Sequence, residues 1–149
     1  MNVNSRILCI DYGTVRVGLA LSDPTRTIAQ ARGFIENNNS NLNQLAAKIA
    51  NIAKENNVNT ILIGLPKKLN GSDGRLSSDV KKIAEYLENE FKLNTVLWDE
   101  RFSSISAENI LIDAGVNRKK RKEKVDSLAA VIILQNYLDF LQNNNENTI

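Results

Sequence analysis

The chain has 149 residues, 42% hydrophobic and 24% charged, with nineteen Lys plus Arg against seventeen Asp plus Glu, one Cys and no His. At this length one core buries roughly 70% of the surface that the unfolded chain exposes, so a single soluble domain is expected, with no disulfide or metal staple needed for folding. The missing histidines exclude a His general base, a Ser-His-Asp or Cys-His arrangement and any imidazole-built zinc site, which leaves acid, base and metal chemistry to carboxylates.

Lone Cys9 sits inside an apolar run and reads as a small buried hydrophobe, which suits a reducing compartment. No apolar stretch approaches the roughly 18 residues of a membrane span. The opening MNVNSRILCID meets an acidic residue too early for a signal peptide, so a cytoplasmic protein that avoids membranes is expected. A net charge of +2 is too mild to demand a polyanionic partner. The distribution of charge has to decide that question.

Ile7 to Ile10 is a continuous apolar run closed by Asp11, Tyr12 and Gly13, the pattern of a strand buried on both faces with a carboxylate at its C-terminal tip. Arg16 to Leu21 follows after four residues and stops at Ser22-Asp23-Pro24, so the two segments are expected to form an antiparallel hairpin. A third strand is expected over Ile28 to Ile35 and a loop over the Asn-rich Asn37 to Asn41. Leu42, Leu45, Ala46, Ile49, Ile52 and Ala53 then recur at helical spacing.

Thr60 to Gly64 reads as a strand, followed by a long loop from Lys67 to Arg75 with Asn70-Gly71 and Asp73-Gly74 turn pairs. Val80, Ile83, Ala84, Leu87 and Phe91 predict a helix over Ser77 to Lys92, with Ser77 or Ser78 as N-cap. Thr95 to Trp98 reads as the fifth strand and leads into Asp99-Glu100-Arg101. A helix over Ser103 to Ala114 is expected to stop at Gly115, followed by a basic loop over Arg118 to Lys124. The last helix is expected over Val125 to Leu141, largely buried, with a frayed tail over 143–149 beyond a domain of 1–142. The order predicts an α/β protein: a mixed five-stranded sheet, antiparallel hairpins first and parallel crossovers after, flanked by helices.

Three acids stand out by position: Asp11 and Glu100 at strand tips and Asp126 at the start of the final helix. Ligands in open α/β sheets gather outside the carboxyl ends of strands, and a helix on the sheet can bring Asp126 to the same edge. Three crowded carboxylates resist joint ionisation unless cations neutralise them. Oxygen-only ligation suits Mg²⁺ or Mn²⁺, and two such ions roughly 3.5 to 4 Å apart activate a water and stabilise the leaving oxygen of a phosphodiester. Taken singly, each acid also has a structural role open to it: Asp11 as a turn cap, Glu100 as an ion-pair partner of Arg101 or Arg16, Asp126 as an N-cap. Asp99 and Glu100 are strand neighbours on opposite faces, so one of the two is expected to reach the cleft, and Glu100 is the choice, partly for the family resemblance given below.

Arg118, Lys119, Lys120, Arg121, Lys122 and Lys124 gather six of the nineteen basic residues just before Asp126, placed to hold a phosphate backbone over the carboxylates, and Lys67, Lys68 and Arg75 offer a second edge. Aromatic residues make up 5% of the chain and none interleaves with the basic run, so recognition by shape and backbone is expected rather than base stacking.

Ile10 to Ala20, the Gly64-Leu65-Pro66 segment with Asn70-Gly71-Ser72, Asp99-Glu100-Arg101 and Val125 to Ala130 together resemble the YqgF, or RuvX, family, from about Arg6 to Leu138. That bacterial group is similar to Holliday junction resolvases and is regarded as processing the 5′ end of precursor 16S ribosomal RNA. The resemblance implies a ribonuclease H-like fold, a metal-dependent nuclease, and Asp11, Glu100 and Asp126 as its acidic site. It also implies that Arg16 and Arg101, which belong to the matching motifs, contact phosphate or hold the carboxylates. Related nucleases usually bring four carboxylates, and Asp23, Asp99 and Asp113 are each open for the fourth place.

Asp11-Tyr12-Gly13-Thr14 also resembles the phosphate-binding turn of actin-like and sugar-kinase ATPases, but those proteins close two such domains around a nucleotide and this chain has room for one. Two further readings compete: a DNA four-way junction as substrate, which calls for a symmetric dimer where a monomer or weak homodimer is expected here, and a non-catalytic RNA-binding module on the same fold.

Overall fold

The computed structural model describes residues 5–13, 15–37, 41–65, 75–99 and 118–146. In chain order its elements are β1 (Arg6–Asp11), β2 (Arg16–Ser22), β3 (Ala29–Glu36), α1 (Leu42–Glu55), β4 (Val58–Leu65), α2 (Arg75–Phe91), β5 (Asn94–Asp99) and α3 (Arg118–Glu146). The five strands form one sheet in the order β3-β2-β1-β4-β5. β1 pairs antiparallel with β2, and β2 antiparallel with β3, while β1 with β4 and β4 with β5 are parallel. The expected sequence of hairpins and then crossovers is what the strands adopt.

Two helical layers cover the sheet. On one face Leu8, Ile10, Leu19, Leu21, Ile61 and Ile63 pack against Leu45 and Ile49 of α1 and Val80, Ile83 and Leu87 of α2. On the other, Ile7, Cys9, Ala20 and Leu62 pack against Ala130, Ile133, Leu134 and Leu138 of α3. Successive side chains of a strand alternate between faces, so a strand covered on both sides must be apolar at every position. That explains the unbroken runs in β1 and β4. Each fully buried Leu or Ile contributes about 1.5–3 kcal/mol by leaving water.

The helices start and stop for local reasons. Asn41 caps α1 by accepting a 2.8 Å hydrogen bond from the Gln44 amide, and Asn57 just beyond its end takes a left-handed φ of 56°. The final helix departs most from expectation. It begins at Arg118 and not Val125, so the basic run expected as a loop is helical, and it continues to Glu146, past the expected end at Leu141. Its first turn holds Arg118, Lys119, Lys120 and Arg121 and no acidic residue. The expected helix over Ser103 to Ala114 and its Gly115 stop lie outside the described residues. None of the described helices is long and apolar enough to cross a membrane.

The β2–β3 turn is held by Asp23. One carboxylate oxygen accepts from the amides of Thr27 (2.7 Å) and Ile28 (3.0 Å), and the other accepts from the Thr25 hydroxyl. These bonds, the Ile28 amide first, lower its pKa from 3.8 to about 2. A carboxylate held below its unfolded value stabilises the fold fully above pH 3.8 and loses that contribution as pH falls through 2. Asp23→Asn is therefore expected to lower the melting temperature at pH 6, with the gap from the parent chain narrowing at pH 2, as thermal unfolding at both pH values will read.

Candidate functional site

Because β1, β4 and β5 are parallel, their C-terminal ends, Asp11, Leu65 and Asp99, share one edge of the sheet. Asp11 falls on the face that carries Ile7 and Cys9, the face covered by α3. Its antiparallel partner is Gly18. On its other side β4 offers Gly64, the residue after Ile63, which pairs with Ile10. A half-buried Asp11 is thus flanked across the sheet by two glycines, neither of which adds a side chain beside it.

The helix arrives at the same edge. The buried Ser127 hydroxyl donates to the Leu19 carbonyl at 3.1 Å and accepts from the Gly33 amide at 3.2 Å. Two turns further on, Gln135 accepts from the Ala29 amide at 2.9 Å and donates to the Thr27 carbonyl at 3.0 Å. Leu19 lies beside the Asp11 partner Gly18, whereas Ala29 pairs with Ser22 at the far end of β2. α3 therefore runs from the Asp11 edge towards the opposite one, and residue 126 enters at the Asp11 edge and on the Asp11 face. The side chain of Asp126, like those of Arg118 to Lys122, lies outside the described residues, as do Glu100 and Arg101 altogether.

The turn that follows Asp11 is held from both sides. Tyr12 packs into the α1–α2 core, and its hydroxyl donates to Asp79 of α2 at 3.0 Å. Asn37, buried at the end of β3, donates through its side-chain amide to the Gly13 carbonyl at 2.9 Å and through its backbone amide to the Val15 carbonyl at 2.8 Å. Gly13 is sterically required, because a Cβ there would stand 2.5 Å from the Arg16 carbonyl oxygen. Arg16 opens β2 with its guanidinium carbon 4.8 Å from the centroid of the Phe34 ring, a cation–π contact.

Of the acids considered for a fourth place, Asp23 is excluded. It follows Ser22, whose hydroxyl accepts from the Ile7 amide at the opposite edge, and its oxygens serve the β2–β3 turn. Asp99 ends β5 at the Asp11 edge, its side chain outside the described residues, and Asp113, Lys67 and Lys68 lie outside them entirely. Arg75 begins α2. Among the described residues no three His, Cys, Asp or Glu side chains converge. Asn37 and Asp79 escaped the sequence reading. Asn37 looked like one Asn of a loop, and nothing local distinguishes an amide that will be buried; Asp79 is one polar residue of an amphipathic helix.

The model of the RuvX family, described as Holliday junction resolvase, matches residues 5–140. A protein of Bacillus mycoides (strain KBAB4) that carries the name "Putative pre-16S rRNA nuclease" is 43% identical over 134 residues, 90% of this chain and 98% of its own. A relative of the same name from Geobacillus sp. (strain WCH70) is 42% identical over 137 residues, 92% and 99% of the two chains. Among solved structures, T. thermophilus RuvC in complex with Holliday junction substrate matches with a TM-score of 0.58 at 11% identity, over 91% of this chain and 96% of that one. At that identity the likeness is one of fold, and the fold is ribonuclease H-like, as expected.

Gly13→Ala is expected to destabilise the protein by about 1–3 kcal/mol, since backbone and not a pliant side chain stands in the way. Thermal unfolding will measure it, and a melting temperature equal to that of the parent would show that the turn yields freely.

Proposed function

The chain belongs to the RuvX family of Holliday junction resolvases, and from that membership and the sheet edge we propose that it is a divalent-metal-dependent nuclease that processes the 5′ end of precursor 16S ribosomal RNA. The observation that carries the reading is the placement of Asp11: at the tip of a central strand, on the α3 face, between two glycines, where α3 delivers residue 126. The substrate follows the relatives at 42–43% identity, whose name specifies precursor 16S rRNA. Likeness to RuvC is one of fold and adds nothing about RNA or DNA. A single domain, a cytoplasmic location and a monomer or weak homodimer complete the reading, since cutting one RNA strand needs no second site.

The donor set fits a hard cation. Carboxylate oxygens are the ligands of Mg²⁺ and Mn²⁺, the chain has no imidazole to favour zinc, and the glycines beside Asp11 leave space for an ion and a phosphate. Asp11, Glu100 and Asp126 would hold it. Glu100 enters this set through the Asp99-Glu100-Arg101 motif that follows β5. A bound divalent cation supplies a water of lowered pKa and neutralises charge developing on the phosphodiester. Asp11 fixes the position of the reacting phosphate through the rigidity of β1. Arg16 and Arg101 hold phosphate or carboxylate oxygens, and Arg118, Lys119, Lys120, Arg121 and Lys122 draw the RNA backbone to the edge by long-range attraction.

The decisive experiment is cleavage of a precursor 16S 5′ fragment by the purified protein in Mn²⁺, with Asp11→Asn and a DNA four-way junction in parallel. The parent protein is expected to cut the RNA and to stop in excess EDTA. Asp11→Asn is expected to lose about a hundredfold or more while still binding RNA, because even outer-shell partners of a metal are worth 10–100-fold. Preferential cutting of the junction would transfer the substrate to DNA; binding without cutting by the parent would favour a non-catalytic RNA-binding module. Replacing Lys119, Lys120 and Arg121 together by alanine is expected to weaken RNA binding across sequences and to flatten the slope of log affinity against log salt by about two, measured by fluorescence anisotropy.

A further inference from the structure

The β2–β3 ladder breaks at one place, and a helix side chain fills the break. Gly18 pairs with Phe34 and Ala20 with Ala31, so Arg32 and Gly33 of β3 together oppose the single Leu19 of β2. This is a β-bulge, and Gly33 within it has φ +79°, a conformation that glycine adopts without steric cost. The Ser127 hydroxyl bonds to both strands at this point, taking the Gly33 amide and giving its proton to the Leu19 carbonyl. It is buried, and the neighbouring contact surface is made of small residues, with Ala20 of β2 and Ala130 of α3 both fully buried. The helix lies close on β2 here, so a short hydroxyl reaches both strands.

The position of this contact gives it a role. Leu19 is the residue after Gly18, the partner of Asp11, and Ser127 is the residue after Asp126. One hydroxyl therefore ties the backbone beside Asp126 to the backbone beside the partner of Asp11. Because helix and strand are each stiff over two residues, fixing Ser127 on Leu19 and Gly33 fixes the separation of residues 11 and 126 and the rotation of α3 about its axis. A cation shared by two carboxylates requires that their backbones keep one distance, and outer-shell groups that orient ligands are worth 10–100-fold in metal affinity. We propose that Ser127 is a positioning residue whose hydroxyl, seated in the β2–β3 bulge, holds α3 at the height that lets Asp126 share a divalent cation with Asp11. The inference rests on the reading of Asp11 and Asp126 as metal ligands given above.

The test is direct Mn²⁺ binding by electron paramagnetic resonance titration of the full chain, with Ser127→Ala, Ser127→Thr, Asp11→Asn and Asp126→Asn in parallel and thermal unfolding of each. Ser127→Ala is expected to raise the Mn²⁺ dissociation constant about tenfold. Its cleavage rate should recover to within about twofold of the parent at saturating Mn²⁺, since the ligands themselves remain. Ser127→Thr keeps the hydroxyl and is expected to retain affinity within about twofold. Both aspartate variants are expected to lose binding outright. If Ser127→Ala binds Mn²⁺ as the parent does while the aspartate variants do not, the positioning role is overturned and the metal site stands. If the aspartate variants also bind as the parent does, the metal-ligand reading falls and this inference with it. Should the alanine variant fail to fold, Ser127→Cys, nearly isosteric and a poor acceptor, carries the same expectation of weakened binding, and unchanged affinity there would equally overturn the role.

Discussion

A central strand with partners on both sides and helices on both faces has no freedom to shift, and β1 is such a strand. It is bonded to β2 and β4, and Ile7, Leu8, Cys9 and Ile10 divide between two cores with almost no exposure. A slip of one residue would exchange every side chain between the two cores and bring the Asp11 carboxylate to the opposite face. The register of β1 therefore sets where Asp11 stands. Parallel pairing carries the same level across to β4 and β5, so the edge shared by Asp11, Leu65 and Asp99 follows from how the core is divided.

The sequence makes the layers readable because burial leaves a periodic trace. Runs such as Ile7 to Ile10 and Ile61 to Ile63 are apolar at every step only because both faces are covered, and the spacing of Leu45, Ile49 and Ala53 reports one buried helix stripe. Asp11 was legible for the same reason, as the first charge after such a run. The features that failed to show were those without periodicity. Helix α3 was expected to start at Val125 because Arg118 to Lys124 carries no apolar residue, yet charge alone does not disfavour helix; Arg and Lys are good helix formers. The bulge at Gly33 depends on a bond from a residue 94 positions away, and the burial of Asn37 on a carbonyl 24 positions away. The first leaves one local mark, an isolated glycine inside a strand, and the second leaves none.

The α3 face of the sheet divides into two zones of different chemistry. Away from the site edge it is an aliphatic core of Ile7, Cys9 and Leu62 with Leu134 and Leu138, and on its β5 flank Trp98, level with Gly64, meets Tyr137 in edge contact at 5.1 Å between ring centroids. Near the edge it turns small, through Ala20, Gly18 and Gly64, and the polar groups Ser127 and Asp11 take over. Small residues bring helix and sheet backbones close, and close backbones are stiffer than long side chains reaching over a gap. Beside Ser127 the helix is tied directly to the backbones of β2 and β3.

The start of α3 carries an electrostatic conflict of its own. The N-terminal end of a helix already behaves as about half a positive charge, and four consecutive cations occupy its first turn with no acid among them. In the free protein these charges repel both the helix end and one another. A polyanion laid against them removes that repulsion as well as making new attractions, so binding gains energy that the unbound protein held as internal stress.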